Sequence, residues 1–158
     1  MRKNFLIFSG AIFSAAFAAS SATAETTVVE LTQVACQFVE SENGIDHDFK
    51  TGEKADCEAI NADSAGKRLQ AAKPIQLKAG DYVFRVTNKD VPYMLGFWLR
   101  EKDYNPVNPV DKLTKTSVSG GGLHLGVTQD YKVTLGPGEY VYSCPLNTTP
   151  DYRLVVTE

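Results

Sequence analysis

Three side chains in this chain could hold a metal or act on a substrate: one thiol, one imidazole and one thioether. Cys144 ends the run Gly138-Glu139-Tyr140-Val141-Tyr142-Ser143 and opens a loop bounded by Pro145 and Pro150. In an extended chain Tyr140, Tyr142 and Cys144 share one face, so the sulfur stands where a core-facing row meets a loop at the end of a sheet. Met94 is the only methionine beyond the first residue, and His124 lies just after three glycines. A thiolate with thioether and imidazole suits copper, whereas added oxygen from Tyr93, Asp151 or Tyr152 shifts the preference toward Fe(III). Each of these residues has a plainer reading. Cys144 can be an inert packed thiol, Met94 a packed side chain beside Pro92 and Leu95, and His124 an exposed loop residue. The other histidine, His47, sits in a polar stretch beside Asp46 and Asp48 and reads as a solvated surface residue.

An enzyme is not expected. Cys144 as a nucleophile needs a base, and His124 is the only candidate. No orienting acid, second histidine at a suitable spacing or oxyanion motif accompanies it.

Cys36 and Cys57 bracket the polar residues 37–56 and are expected to pair, which leaves Cys144 free; the sequence alone leaves the other two pairings open. Disulfides require an oxidising compartment, and the N-terminus supplies the route. Arg2 and Lys3 precede an apolar run over residues 5–18, and Ala22-Thr23-Ala24 has the small-x-small form of a cleavage site. The expectation is a signal peptide over residues 1–24 and one domain over residues 25–158, exported to the bacterial periplasm with no membrane anchor after cleavage. Removing Arg2 and Lys3 takes the formal net charge from -3 to -5. An acidic surface argues against nucleic acid or anionic lipid as a partner.

Residues 26–40 read as one long strand or two short ones, and residues 41–56 as a surface loop. A short helix is expected over residues 63–73, capped by Asp63 or Ser64 and ended by Lys73-Pro74. Residues 74–78 and 82–88 read as a hairpin turning at Ala79-Gly80-Asp81. Residues 91–100 read as a central strand and residues 101–122 as a long connection punctuated by Pro and Gly. Residues 129–135 and 138–144 read as a second hairpin, turning at Pro137 and setting Cys144 across from Asp130. A last strand follows Pro150. Many short strands with regular turns and one helix argue for an antiparallel β-sandwich or barrel. Tyr93, Met94, His124, Cys144, Asn147 and Tyr152 then become candidates for one cluster at one end of it.

The order Gly80-Asp81-Tyr82-Val83-Phe84-Arg85-Val86-Thr87-Asn88, then Val91-Pro92-Tyr93, then Gly138-Glu139-Tyr140-Val141-Tyr142-Ser143-Cys144 resembles the cupredoxins, over roughly residues 74–156. The resemblance implies an all-β, Greek-key β-sandwich with its ligand loops at one end, here with one short helix. Blue-copper members hold their metal with two histidines, a cysteine and a weak axial ligand. Only Cys144 matches. Tyr93 stands where the first histidine belongs, Asn147 where the second belongs, and Tyr152 near the axial methionine. A blue-copper electron carrier is therefore not expected. The stretch over residues 144–154 is also similar to cupredoxin domains of bacterial iron-uptake systems. Two functions follow: binding or delivery of copper or iron at a non-standard site of Cys144, His124 and Met94, or a metal-free module that recognises a periplasmic protein. For the second, Phe97, Trp98, Tyr104 and the 101–122 connection form the expected surface.

Overall fold

Alternation along residues 80–88 buries Tyr82, Phe84 and Val86 on one face, and the same rule buries Tyr140, Tyr142 and Cys144 near the C-terminus. The computed structural model describes residues 26–158, so the expected signal peptide lies outside the described residues. In chain order the elements are β1 (Thr27–Val34), β2 (Gln37–Phe38), α1 (Lys54–Ala71), β3 (Ile75–Lys78), β4 (Gly80–Asn88), β5 (Leu95–Glu101), α2 (Pro109–Thr114), β6 (Thr116–Leu123), β7 (Thr128–Leu135), β8 (Gly138–Ser143) and β9 (Tyr152–Thr157). One sheet has the order β2-β1-β4-β7 and the other β3-β9-β8-β5-β6. Their inner faces meet on an aromatic core. Phe97 lies 5.4 Å from both Phe84 and Tyr131, and Phe38 makes edge contacts with Phe97, Tyr142 and Tyr152. No helix among the described residues is long and apolar enough to cross a membrane.

The two expected hairpins are not hairpins. β3 runs parallel to β9 in one sheet, while β4 pairs with β1 and β7 in the other. Likewise β7 pairs with β4, and β8 pairs with β5 and β9. Ala79 and Gly136-Pro137 are corners at which the chain changes sheet. Sequence cannot separate the two cases, because a strand buries the same alternate residues whether its neighbour lies beside it or across the core. Cys144 is therefore not opposite Asp130; it follows Ser143, whose partner is Trp98 on β5.

The helix is longer and earlier than expected. It starts at Lys54, where the Asp56 carboxylate accepts hydrogen bonds from the backbone N–H groups of Gly52 and Glu53, and it ends at Ala71, three residues before Pro74. Residues 101–122 are not one loop. They contain α2, capped by Asn108 with Pro109 in its first turn, and all of β6 but its last residue. The three glycines lie inside β6, and Gly120 is there because the strand passes close to its neighbours. A Cβ on Gly96 would sit 2.5 Å from the Gly120 carbonyl oxygen, and one on Gly120 would sit 2.7 Å from the Tyr131 ring. Gly120→Ala is accordingly expected to destabilise the fold by about 1–3 kcal/mol, read as a lower urea midpoint with an unchanged slope.

Candidate functional site

Three loops converge at the end of the sandwich where β8 stops. The Asn88 side-chain amide ties two of them by donating to the carbonyls of Val91, Tyr93 and Leu123. The third begins at Cys144 and is closed on itself, with the Cys144 N–H donating to Thr149 Oγ1 and the Thr149 N–H to the Cys144 carbonyl.

Cys144 Sγ is fully buried and unpaired. It accepts backbone N–H groups from Gly96 at 3.4 Å and Asn147 at 3.3 Å. Burial nevertheless pushes the thiol up from its ordinary value, and donation from Gly96, Asn147 and Leu146 only offsets part of that. Asn147, at the position of a lost imidazole, is also fully buried. Its Oδ1 accepts from the Cys36 N–H at 2.9 Å, and its Nδ2 donates to the Val34 carbonyl at 2.8 Å. The Tyr93 hydroxyl, at the other lost position, hydrogen-bonds Thr51 at 3.0 Å and lies 3.9 Å from Cys57 Sγ.

Tyr93 is thus held by Thr51, in the insertion between β2 and β3 (residues 39–73), and Asn147 by the end of β1 and the turn after it. Cys36 and Cys57 form the expected disulfide, which joins the turn after β1 to the first turn of α1. Asn61 on α1 adds hydrogen bonds to the carbonyls of Cys36 and Thr148, the second of these in the Cys144 loop itself. The far side of the insertion is anchored by a buried ionic cluster. The Glu42 carboxylate receives Arg68 Nε at 3.0–3.1 Å, His47 Nε2 at 2.7 Å and the Tyr152 hydroxyl. Arg68 also donates to Asn61, Ser64 and the Cys36 carbonyl.

The structure therefore brings Cys144, Asn147, Tyr93, Cys36 and Cys57 together. Tyr152 starts β9 opposite Tyr142 and spends its hydroxyl on Glu42. His124 and Met94 are exposed on the surrounding loops. His47 is exposed at the surface, as expected, and is in addition bonded to Glu42 and stacked on Phe49. Phe97 leaves the expected recognition surface, since it is a core residue at 1 % exposure. Trp98 stays outside it, with the Arg100 guanidinium 4.0 Å over its ring and Tyr104 against its edge. Glu42, Arg68, Asn61 and Thr51 escape a sequence reading because they lie in a polar segment with the composition of a solvated loop. Tyr131 escapes as well. It is buried with its hydroxyl unpartnered and packs on Phe97.

The buried phenols and thiol set the alkaline limit of the fold. Burial, with the Cys144 charge adding to it, pushes Tyr131 up to about 12, and burial raises Tyr142 and Tyr152 too. The folded chain thus retains protons that the unfolded chain releases from about pH 9 upward. Stability is complete below that value and falls as pH rises toward the folded-state values. Urea midpoints are expected to be flat from about pH 7 to 8.5 and to drop steadily from about pH 9 to 12.

No family model matches the chain, and neither does any curated protein. Solved structures do match its fold. Auracyanin A, a "blue" copper protein from the green thermophilic photosynthetic bacterium Chloroflexus aurantiacus, superposes with a TM-score of 0.53 at 13% identity, over 84% of this chain and 100% of that one. Dithionite-reduced auracyanin from Roseiflexus castenholzii superposes with a TM-score of 0.50 at 13% identity, over 85% of this chain and 99% of that one. The fold is cupredoxin-like. At such identities the likeness speaks for the cupredoxin-like fold alone, and the donor set must be judged on its own atoms. A resident copper or iron ion does not fit it. One free thiol is present, the amide and the phenol at the two lost positions are committed to hydrogen bonds with Cys36, Val34 and Thr51, and among the described residues no three His, Cys, Asp or Glu groups are placed to hold a metal.

Proposed function

We propose that this chain is an exported, periplasmic, cupredoxin-like module that carries no resident metal, performs no catalysis and recognises a partner protein through its loop end. The observation that carries this reading is Asn147. Its side chain, where an imidazole would stand, is buried and committed to Cys36 and Val34. The disulfide-bonded insertion fixes that end of the sandwich, and a rim of exposed Pro92, Met94, Pro145 and Leu146 remains around it. Apolar side chains on two rigidly tied loops suit protein contact. The acidic balance of the mature chain keeps nucleic acid out of the reading.

A second reading is the one first drawn from the residues: Cys144 binding or delivering copper with His124 and Met94 after loop rearrangement. Its support is the fold shared with auracyanin A, described as a copper protein, and the unpartnered hydroxyl of Tyr131 among the core residues that include Cys144. Iron rests on the sequence resemblance alone.

One experiment separates the two. The reduced protein is incubated with Cu(I), Cu(II) or Fe(III), freed of excess, and assayed for bound metal beside Cys144→Ser. No retained metal is the expected result. Stoichiometric metal that is lost in Cys144→Ser overturns the proposal in favour of the second reading. A photo-crosslinking residue at Leu146, placed in cells that export the chain, is expected to give a protein adduct that Met94→Glu diminishes.

A further inference from the structure

Alternation along β5 sends Phe97 and Leu99 into the core and sets Gly96, Trp98 and Arg100 on the outer face of the sheet. The Arg100 guanidinium lies 4.0 Å over the Trp98 ring and is itself fixed by Ser143 Oγ at 3.0 Å and Asp151 at 2.6 Å, while Tyr104 packs against the ring. The indole is therefore held in one orientation before any ligand arrives, which lowers the ordering cost of binding to it. On the Gly96 side of the ring no side chain fills the space. The register of β5 against β6 shifts between Leu95 and Phe97, and a Cβ on Gly96 would sit 2.5 Å from the Gly120 carbonyl oxygen, so the position takes glycine. The result is a cleft of about 220 Å³ lined by Gly96, Phe97, Trp98, Ser119, Gly120 and Pro145. Pro145 also belongs to the exposed rim at the loop end, so the cleft continues that rim onto the face of the sheet.

We infer that this cleft anchors a proline-rich segment of the partner in the polyproline II conformation, an inference that rests on the loop-end reading above and names the class of its partner. Size gives the first argument. The cleft is smaller than the roughly 300 Å³ at which small-molecule sites begin, so it takes the rings of a longer segment rather than a whole small ligand. Polarity decides which segment. The Gly96 N–H is spent on Cys144 Sγ and the Gly96 carbonyl on Gln33 Nε2, so the floor at Gly96 offers a visiting backbone no ladder of hydrogen bonds. The polar side-chain groups of the lining are the Trp98 indole N–H and the Ser119 hydroxyl, and both can donate. An extended strand brings N–H groups that find too few acceptors there, and a sugar brings several hydroxyls; each leaves polar groups unsatisfied. A polyproline II segment has no N–H at its prolines, presents its carbonyls as acceptors, needs no strand beside it and docks its rings on aromatic side chains. The acidic balance of the chain adds a preference for prolines interspersed with lysine or arginine.

Trp98 is the only tryptophan in the chain, so its emission reads the cleft directly. The probe is a peptide of repeated Pro-Pro-Lys, with repeated Ala-Ala-Lys as the control of equal charge and maltohexaose as the sugar. The proline peptide is expected to shift the emission saturably with a half-point below about 1 mM, and the alanine peptide to bind at least about tenfold more weakly. Ser119→Gln, at an exposed position, puts a longer side chain over the cleft, and Trp98→Ala removes its wall. Each should weaken binding at least about tenfold, the second read by the anisotropy of labelled peptide. Circular dichroism confirms that the variants are folded, and Ser119→Gln carries the test if Trp98→Ala does not fold. No saturable shift with the proline peptide overturns the inference, as does equal binding of the alanine peptide or binding indifferent to Ser119→Gln. A saturable shift with maltohexaose alone overturns it in favour of a carbohydrate. The photo-crosslink at Leu146 keeps the two readings apart. An adduct without proline-peptide binding removes this inference and leaves the loop-end reading standing, whereas peptide binding without an adduct removes the rim and leaves the cleft.

Discussion

Glu42→Ala is expected to cost about 3–5 kcal/mol of unfolding free energy, the largest effect of any single substitution in this chain. The carboxylate is buried and satisfies three partners from three parts of the chain: Arg68 on α1, His47 in the preceding loop and Tyr152 on β9. Removing it leaves the Arg68 guanidinium buried at 8 % exposure with no counter-charge. The cost is the desolvation of that stranded charge rather than the worth of the pair, and this gives the prediction its internal control. Replacing Glu42 and Arg68 together by apolar residues of similar volume should recover most of the loss. Urea denaturation of the wild type, both single variants and the double variant measures the cycle. A loss below about 1 kcal/mol for Glu42→Ala would mean that Glu42 and Arg68 are not buried together in solution.

Removing the disulfide is expected to have the next largest effect. Cys36 and Cys57 are separated by 21 positions, and a loop of that size contributes about 3 kcal/mol in the chain-entropy account. For a domain of this length that corresponds to a fall in Tm of about 10 °C for Cys36→Ser/Cys57→Ser. The site should respond as well. The Cys36 N–H is the donor to Asn147 Oδ1, and the first turn of α1 lies over Tyr93. Loosening that turn frees the loop that closes over Cys144. In the native oxidised protein a disulfide-forming thiol reagent should find Cys144 almost unreactive, and after unfolding in guanidinium without reductant it should count one thiol per chain. The double serine variant should react several-fold faster while still folded. Equal rates would show that the insertion does not guard the sulfur.

These expectations also mark how far the residues alone could be read. The sandwich, the strands from β4 onward other than β6, and the position of Cys144 at a sheet end follow from period-two burial and turn chemistry, which are local properties. The Cys36–Cys57 pair was expected from the bracketing of a polar segment in a chain expected to be exported, and the replacement of both imidazoles, by Tyr93 and Asn147, is plain once the cupredoxin-like order of motifs is seen. Which sheet each strand joins was not legible. Alternation reports that one face is buried but not what buries it, so the corners at Ala79 and Pro137 looked like hairpins. β6 was hidden for a related reason, since glycine and serine contribute no apolar pattern even where close packing under Gly96 and over Tyr131 requires them. Most consequential was the insertion. Glu42, Thr51, Asn61 and Arg68 have the types of a solvated loop, and their burial depends on groups that become neighbours only when α1 is bonded to the turn after β1. The sequence by itself determined that a lone sulfur ends a strand without its usual ligands. The tertiary structure alone decided that the vacated positions are held shut, because hydrogen-bond partners supplied from residues far away in the chain leave no trace in local pattern.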